Sequence, residues 1–207
     1  MARWYRGWWS GARRLSSPNF GPRPAGVVVD LVVLHSISLP PGVFRGSAVE
    51  QLFTNTLDCD RHPYFDALRG LRVSAHFLLR RDGRLLQFVS CAQRAWHAGR
   101  SVWRGREDCN HYSIGIELEG LEGEGFEPAH RNRQRRQMQA LRLGDYVGVR
   151  YDITELELER QSMRGVLSAI DSASPGATIT WSSTRTSIRA SADFRVWVIA
   201  SSARDGC

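Results

Sequence analysis

Lysine is absent from this chain of 207 residues, so arginine carries every fixed positive side-chain charge. The formal net charge of +7 has two explanations: a coding bias toward arginine, or a surface that attracts an anionic polymer. Charge alone does not choose between them. No helix-turn-helix, zinc finger or aromatic and basic platform accompanies the basic run at 131–136. The sequence therefore predicts no nucleic-acid partner.

Long apolar runs and paired cysteines are also missing. No stretch approaches the roughly 20 apolar residues that cross a bilayer, which predicts no membrane insertion. The basic, aromatic segment 1–9 has neither the apolar centre nor the cleavage pattern of a signal peptide, so we predict a cytoplasmic chain. The four cysteines form no CxxC pair, and in the cytoplasm we expect them to be free thiols.

Histidine is lacking in the last third of the chain, where none follows His130. The most informative histidine is His35, which lies in the strongest strand pattern of the sequence, residues 28–38. A Pro-Pro-Gly break follows this pattern and places His35 near the lip of a sheet, where sites in open α/β structures gather. A neutral imidazole there suits Zn²⁺, and the alternative is a satisfied core histidine.

A second strand pattern, residues 112–119, carries two glutamates on one side. Glu117 and Glu119 could be solvated side chains on an outer face. The apolar residues around them favour partial burial instead, which raises the pKa of a carboxyl group as a general base requires. An imidazole ligand together with such a carboxylate is what a metal-dependent hydrolase needs.

The region between these strands predicts a helix over 47–57, and strands at 73–80 and 85–89 joined by an Asp-Gly turn. His76 lies inside the first of these two strands, and we expect it to be a core or supporting residue. His97 lies in a loop beside an aromatic residue, where substrate contact and a structural role are equally compatible with its surroundings.

Several longer motifs resemble the AmpD family of zinc-dependent N-acetylmuramoyl-L-alanine amidases, in the right order over roughly residues 7–128. The motifs are Gly11-Ala12-Arg13-Arg14, Ser17-Pro18-Asn19-Phe20, Leu34-His35-Ser36-Ile37-Ser38-Leu39-Pro40-Pro41-Gly42, His62-Pro63-Tyr64-Phe65, Val73-Ser74-Ala75-His76-Phe77, Arg94-Ala95-Trp96-His97-Ala98-Gly99 and Ser113-Ile114-Gly115-Ile116-Glu117-Leu118-Glu119-Gly120.

The resemblance implies a single α/β domain with a mixed central β-sheet flanked by helices. It implies a cytoplasmic, monomeric enzyme that cleaves the amide between N-acetylmuramic acid, in its anhydro form by preference, and L-alanine in recycled cell-wall fragments. By position, His35 is the metal ligand for Zn²⁺ and Glu117 the catalytic carboxylate. Arg72, Trp96 and His97 line the substrate groove.

The sequence departs from this family after about residue 128. The family completes its zinc site with a later Gly-His-x-Asp-Ile-Ala-Pro-x-Arg-Lys-x-Asp-Pro-Gly stretch, and this chain has no such histidine and no lysine. We expect residues 1–128 to form the amidase-like part, and 129–207 to be irregular or poorly packed. Divergence and a frameshift in a GC-rich gene both explain the change. The alternative function is a non-catalytic muropeptide binder, or an inactive remnant.

Overall fold

The computed structural model describes residues 2–103 and 105–120, the isolated positions 133, 136–137 and 141, and the backbone of 196–201. The strands are β1 (Trp4–Tyr5), β2 (Trp8–Trp9), β3 (Arg13–Arg14), β4 (Phe20–Gly21), β5 (Leu31–Ile37), β6 (Phe77–Leu79), β7 (Leu85–Gln87), β8 (Arg94–Ala95), β9 (Val102–Trp103), β10 (Arg106–Glu107), β11 (Ser113–Glu119) and β12 (Val196–Ser201). The helices are α1 (Ala48–Phe53) and the 3₁₀ helices Cys59–Arg61, Pro63–Leu68 and Cys109–His111.

Six strands form a central sheet in the order β12-β5-β11-β6-β7-β3. β11 is parallel to both β5 and β6, whereas β6 and β7 form an antiparallel hairpin and β12 runs antiparallel to β5. The predicted mixed central sheet is therefore confirmed. β5 and β11 lie inside the sheet because both are buried along almost their whole length, as parallel strands covered on two faces must be.

The C-terminal strand β12 corrects one expectation. The sequence predicts an irregular or poorly packed segment after residue 128, yet Val196–Ser201 pairs with β5 and places Val196 opposite His35. Its run of valine, tryptophan and isoleucine has high β propensity, but serine- and arginine-rich neighbours hide so short a pattern. The rest of 129–207, apart from the isolated positions, lies outside the described residues.

One face of the sheet carries a continuous apolar layer. Val32 and Leu34 of β5 pack with Ile114 and Ile116 of β11, and Trp9 from the N-terminal arm covers them. These residues alternate along their strands with side chains that point to the opposite face. The arm is therefore part of the core, although its sequence is basic and rich in glycine.

The opposite face carries two separate apolar clusters. One contains Leu31, Val33, Ala98, Cys109 and Tyr112. The other contains Ile37, Leu78 and the buried side of α1, which consists of Val49, Leu52 and Phe53. The polar residues of β5 and β11 occupy the strip of sheet between these two clusters.

The described residues also test two expectations drawn from composition. Cys59, Cys91 and Cys109 are free, as predicted, while Cys207 lies outside the described residues. In the described part of the chain, no helix is long and apolar enough to cross a membrane.

A buried arginine joins three elements at one end of the sheet. Arg80 follows β6 and is 3% exposed, and its guanidinium pairs with Glu50 of α1 and Glu119 of β11. It also donates a hydrogen bond to the carbonyl oxygen of Gly46. A buried charge destabilises a protein unless it is paired and hydrogen-bonded. Because Arg80 finds its partners on α1 and β11, the cluster fixes the helix and the hairpin relative to β11.

Replacing Arg80 with methionine should reduce the free energy of unfolding by about 3–5 kcal/mol, because two buried carboxylates lose their partner. The control is Arg84→Met in the same hairpin, whose ion pair with Asp82 is exposed and should contribute less than about 1 kcal/mol. Urea unfolding of both variants measures the difference. Equal losses would show that the Arg80 cluster does not hold these elements together.

Candidate active site

The parallel pairing of β5 and β11 places His35 directly opposite Glu117. Residues paired in this way project from the same face of the sheet, so the two side chains share the strip between the apolar clusters. Both are buried, with exposed fractions of 2% and 3%. The sequence predicts these two groups in similar surroundings, and the structure makes them neighbours.

Glu117 is a buried carboxyl group, and burial is the cause of its pKa shift. Burial raises its pKa to about 8, and Oε2 has no hydrogen-bond partner among the described residues. The predicted burial is confirmed and is more complete than the sequence suggests. A carboxyl group with a pKa near neutrality can both accept and release a proton, as general acid–base catalysis requires.

Glu119, two residues further along the same face, has the opposite electrostatics. Burial alone would raise its pKa, but hydrogen bonds from the backbone N–H groups of Arg81 and Arg45, and from the Arg80 guanidinium, lower it overall. Glu117 and Glu119 project from the same face of one strand but differ in their surroundings. Hydrogen bonds hold the Glu119 carboxylate, whereas Oε2 of Glu117 has no hydrogen-bond partner among the described residues.

His35 is held in the neutral form. Burial lowers its pKa to about 4, so the imidazole carries no charge near pH 7 and can act as a Lewis base. Its Nε2 lies 3.0 Å from Nδ1 of His97. Among the residues the structure describes, none forms a hydrogen bond with its Nδ1.

His97 packs directly on β11. A Cβ atom added at Gly115 would lie 2.3 Å from Cγ of the His97 ring, so the ring occupies the space that a side chain at 115 would need. Nε2 of His97 lies 3.1 Å from Oγ of Ser113, and Oδ1 of Asn110 accepts hydrogen bonds from the N–H groups of His97 and Ala98. Both ring nitrogens of His97 therefore have protein partners.

His76 is a core residue, as predicted. Its Nδ1 accepts a hydrogen bond from the N–H of Gly115, and its Nε2 lies 3.0 Å from the carbonyl oxygen of Gln93. Burial, reinforced by the charge of Arg23, lowers its pKa to about 3, although the bond to Gln93 opposes the shift. His76 supports β11 from the side and is not a candidate ligand.

Arg72 and Trp96, the other predicted groove residues, lie on neighbouring segments. The N–H of Ser74 donates to the carbonyl oxygen of Trp96, and the N–H of Trp96 donates back to Oγ of Ser74. Arg72 is exposed and Trp96 half-buried. Both side chains are thus available at the surface near the loop that carries His97, and their contact with substrate stays a prediction.

Three residues that build this site were not predicted from the sequence: Ser113, Gly115 and Asn110. Glycine in the middle of a strand often marks a close approach of another group, so Gly115 was a usable signal. Ser113 and Asn110 gave no signal, because their importance depends on contacts with a loop 12–16 residues away in sequence.

The side chains at this site are of types that bind metal ions, but the described residues include too few of them to hold one. A neutral imidazole nitrogen and a buried carboxylate oxygen without a hydrogen-bond partner are groups that zinc sites use. Within 2–103, 105–120 and the isolated positions, no three His, Cys, Asp or Glu side chains are close enough to hold a metal ion. The described residues therefore offer one histidine ligand, and further ligands are not among them.

Comparison with known protein families identifies the family to which the chain belongs. The sequence model of the N-acetylmuramoyl-L-alanine amidase family matches residues 25–158, which include His35 and Glu117 and continue past residue 128. The chain belongs to this family. The family is typified by zinc amidases, in agreement with the imidazole and carboxylate that the central strands bring together.

Individual relatives support the same assignment. The chain is 53% identical to 1,6-anhydro-N-acetylmuramyl-L-alanine amidase AmpD of Escherichia coli K12 over 117 residues, which are 56% of this chain and 64% of that protein. The Enterobacter cloacae AmpD is 44% identical over 148 residues, 72% of this chain and 79% of that protein. A crystal structure of a selenomethionine AmpD derivative shares the fold with a TM-score of 0.62 at 47% identity, covering 66% of this chain and 76% of that chain. The chain thus spans just under two thirds of its Escherichia coli relative.

The raised pKa of Glu117 predicts a pH-dependent stability. Because its pKa rises from 4.5 to about 8 on folding, its contribution is fully present below pH 4.5 and is lost as the pH rises toward 8. Between pH 6 and 8 the metal-free wild type should therefore lose roughly 2–3 kcal/mol more unfolding free energy than Glu117→Gln.

Urea unfolding at the two pH values measures this difference. Glu119→Gln is the matched control, because a lowered pKa leaves Glu119 ionised at both pH values and its replacement should not alter the slope from pH 6 to 8. Parallel pH profiles for the wild type and Glu117→Gln would contradict a buried, uncompensated carboxyl group.

Gly115→Ala should displace the His97 ring and destabilise the protein by about 1–3 kcal/mol, because the added methyl group overlaps the ring. Gly21→Ala is the control: it also lies in a strand, but its new Cβ would meet the movable Arg94 guanidinium at 3.3 Å. Thermal unfolding and the imidazole resonances of His97 report the two effects. An unchanged His97 environment in Gly115→Ala would refute the close packing.

Proposed function

We propose that this chain is a zinc-dependent amidase that hydrolyses the amide between N-acetylmuramic acid, in its anhydro form by preference, and L-alanine in recycled peptidoglycan fragments. The observation that carries the proposal is the buried pair of a neutral imidazole, His35, and a carboxyl group of raised pKa, Glu117, on adjacent parallel strands. Family membership and relatives named 1,6-anhydro-N-acetylmuramyl-L-alanine amidase support the substrate class.

His35 would hold the zinc ion through a ring nitrogen. When bound, zinc supplies a Lewis acid that polarises the amide carbonyl and acidifies water. Glu117 takes a proton from the attacking water as the water oxygen bonds to the carbonyl carbon. It then passes that proton to the amide nitrogen, which leaves as the amine of L-alanine when the carbon–nitrogen bond breaks.

The substrate contacts would come from the rim beside the loop at 96–98. Exposed Arg72 suits the carboxylates of the peptide portion, since guanidinium groups bind carboxylates through paired hydrogen bonds. Half-buried Trp96 offers an apolar surface for the sugar, and His97 would complete the groove. The formal charge of +7 favours the approach of such anionic fragments.

We propose that residues 1–128 form the amidase-like part, with helices on both sides of the sheet, and that 129–207 is a divergent or frameshifted segment. The enzyme would act as a monomer in the cytoplasm, a compartment with which the free thiols agree. A second candidate is a non-catalytic muropeptide binder. One specific observation favours it: the chain has no histidine after His130 that could serve as a further ligand.

Zinc-loaded full-length chain should cleave anhydro-muramyl-tripeptide, and Glu117→Gln should lower kcat by about 100-fold or more, since a general base contributes a factor of this size. Glu107→Gln, at an exposed glutamate of β10, is the control and should keep wild-type kcat. Release of free tripeptide, followed by chromatography, measures the reaction. Binding of the muropeptide without any cleavage would favour the second candidate, and full activity in Glu117→Gln would exclude Glu117 as the base.

A further inference from the structure

The N-terminal hairpin of β1 and β2 has one side in the core and one side on the surface. Trp4 and Trp9 pair across the hairpin and pack against the apolar layer of the central sheet. Tyr5 and Trp8 form the next cross-strand pair, so their side chains project to the other side. Tyr5 is 68% exposed. The surface side of the hairpin therefore presents two neighbouring aromatic residues.

Arginines surround this aromatic pair. A backbone hydrogen bond extends the hairpin to Arg3, and alternation along the strand places its side chain on the side of Tyr5. Cζ of Arg14 lies 3.7 Å from the centroid of the Trp8 ring, and Cζ of Arg6 lies 5.4 Å from the centroid of the Tyr5 ring. All three arginines are exposed. We define the hairpin face as Arg3, Tyr5, Arg6, Trp8 and Arg14.

The positive charge of the hairpin face is uncompensated. No aspartate or glutamate precedes Asp30 in the sequence. Among the described residues, no carboxylate forms an ion pair with an arginine of this face. Ion pairs do hold other exposed arginines, at Arg61, Arg69, Arg84 and Arg106. The hairpin face is therefore a positive patch that suits an anionic partner.

The hairpin is fixed to the body of the protein. The carbonyl oxygen of Gly7 accepts hydrogen bonds from the N–H of Cys91 and from Nε2 of Gln87. Oγ of Ser90 donates to the carbonyl oxygen of Arg6, and a Cβ atom added at Gly7 would lie 2.3 Å from that Oγ. A partner therefore meets a backbone that is already ordered, which reduces the entropy lost on binding.

The aromatic residues of the hairpin face favour a membrane surface over nucleic acid. Nucleic-acid bases stack on open aromatic rings, but guanidinium groups already lie over the rings of Tyr5 and Trp8. Tyrosine and tryptophan are instead favoured at the headgroup level of a bilayer. Arginines beside them are attracted to anionic lipids.

We propose that the hairpin face binds the surface of a bilayer containing anionic phospholipids, at the level of the headgroups and without insertion. The proposal goes beyond the proposed function and does not depend on it. The hairpin covers the apolar face of the sheet, whereas His35 and Glu117 project from the opposite face. A chain bound in this way turns its candidate active site away from the lipid.

Co-sedimentation of the full-length chain with lipid vesicles tests the proposal. The chain should bind vesicles made of equal parts phosphatidylglycerol and phosphatidylcholine, and should not bind vesicles of phosphatidylcholine alone. High salt should weaken this binding, because salt screens exposed charges. Equal binding to both kinds of vesicle, or no binding to the anionic ones, would overturn the proposal without the need for a variant.

A charge-matched pair of variants tests the location. Replacing the three arginines of the hairpin face with glutamine should weaken binding about 100-fold, since each arginine near an anionic surface contributes a factor of about five. The control combines Arg61→Gln, Arg69→Gln and Arg84→Gln, which removes the same charge from other exposed positions and should bind nearly as tightly as the wild type. Thermal unfolding verifies that both variants fold. Equal weakening in the two would assign the binding to net charge and refute the hairpin face.

Competition with a single-stranded oligonucleotide tests the class of partner. At equal concentrations of oligonucleotide phosphate and anionic lipid, the wild-type chain should stay on the vesicles. Release of the chain would make nucleic acid the better partner of this face and overturn the proposal.

Discussion

The register between β5 and β11 is the constraint on which the rest of the structure depends. Because the strands are parallel and neighbouring, one register places His35, Ser113, Gly115 and Glu117 on a single face of the sheet. A shift of β11 by one residue relative to β5 would turn Ser113 and Glu117 to the opposite face, away from His35. The apolar layer formed by Val32, Leu34, Ile114 and Ile116 therefore fixes the chemistry of the site as well as the core.

The site uses buried polar groups that act against stability. Neutral His35, His76 and His97 resist protonation, so the fold loses stability as the pH falls below their ordinary pKa of 6.5, while Glu117 resists ionisation as the pH rises. The fold therefore holds the Glu117 carboxyl group in surroundings that disfavour its ionised form. Destabilised groups of this kind are common where catalysis needs a shifted pKa.

Two arginines offset part of that cost by joining distant segments. Arg23 donates hydrogen bonds to the carbonyl oxygens of Cys91, Asn110, His111 and Ser113, so the N-terminal segment is tied to the loop before β11. Arg80 performs a similar function at the other end of the strand through Glu50 and Glu119. Both use the planar guanidinium group, whose several N–H donors bind more than one acceptor at once, and lysine could not replace either.

The central strands and the glutamate pair on β11 were predictable because they depend on local patterns. The period-two pattern predicted β11 and the pair at Glu117 and Glu119, and the β6–β7 hairpin followed from Asp-Gly. The difference between the two glutamates was not predictable, since it depends on Arg80 and on backbone groups that are remote in sequence. The contact between Ser113 and His97 and the pairing of β12 were not predicted, for the same reason. Both depend on contacts between segments that are distant in sequence, which local patterns do not show.

Anomalous diffraction at the zinc edge from crystals of the full-length chain soaked in zinc tests the central claim most directly. The account predicts an anomalous peak beside His35, on the sheet face that it shares with Glu117. A zinc ion bound elsewhere, with none at His35, would contradict the assignment of the β5–β11 strip as the catalytic centre.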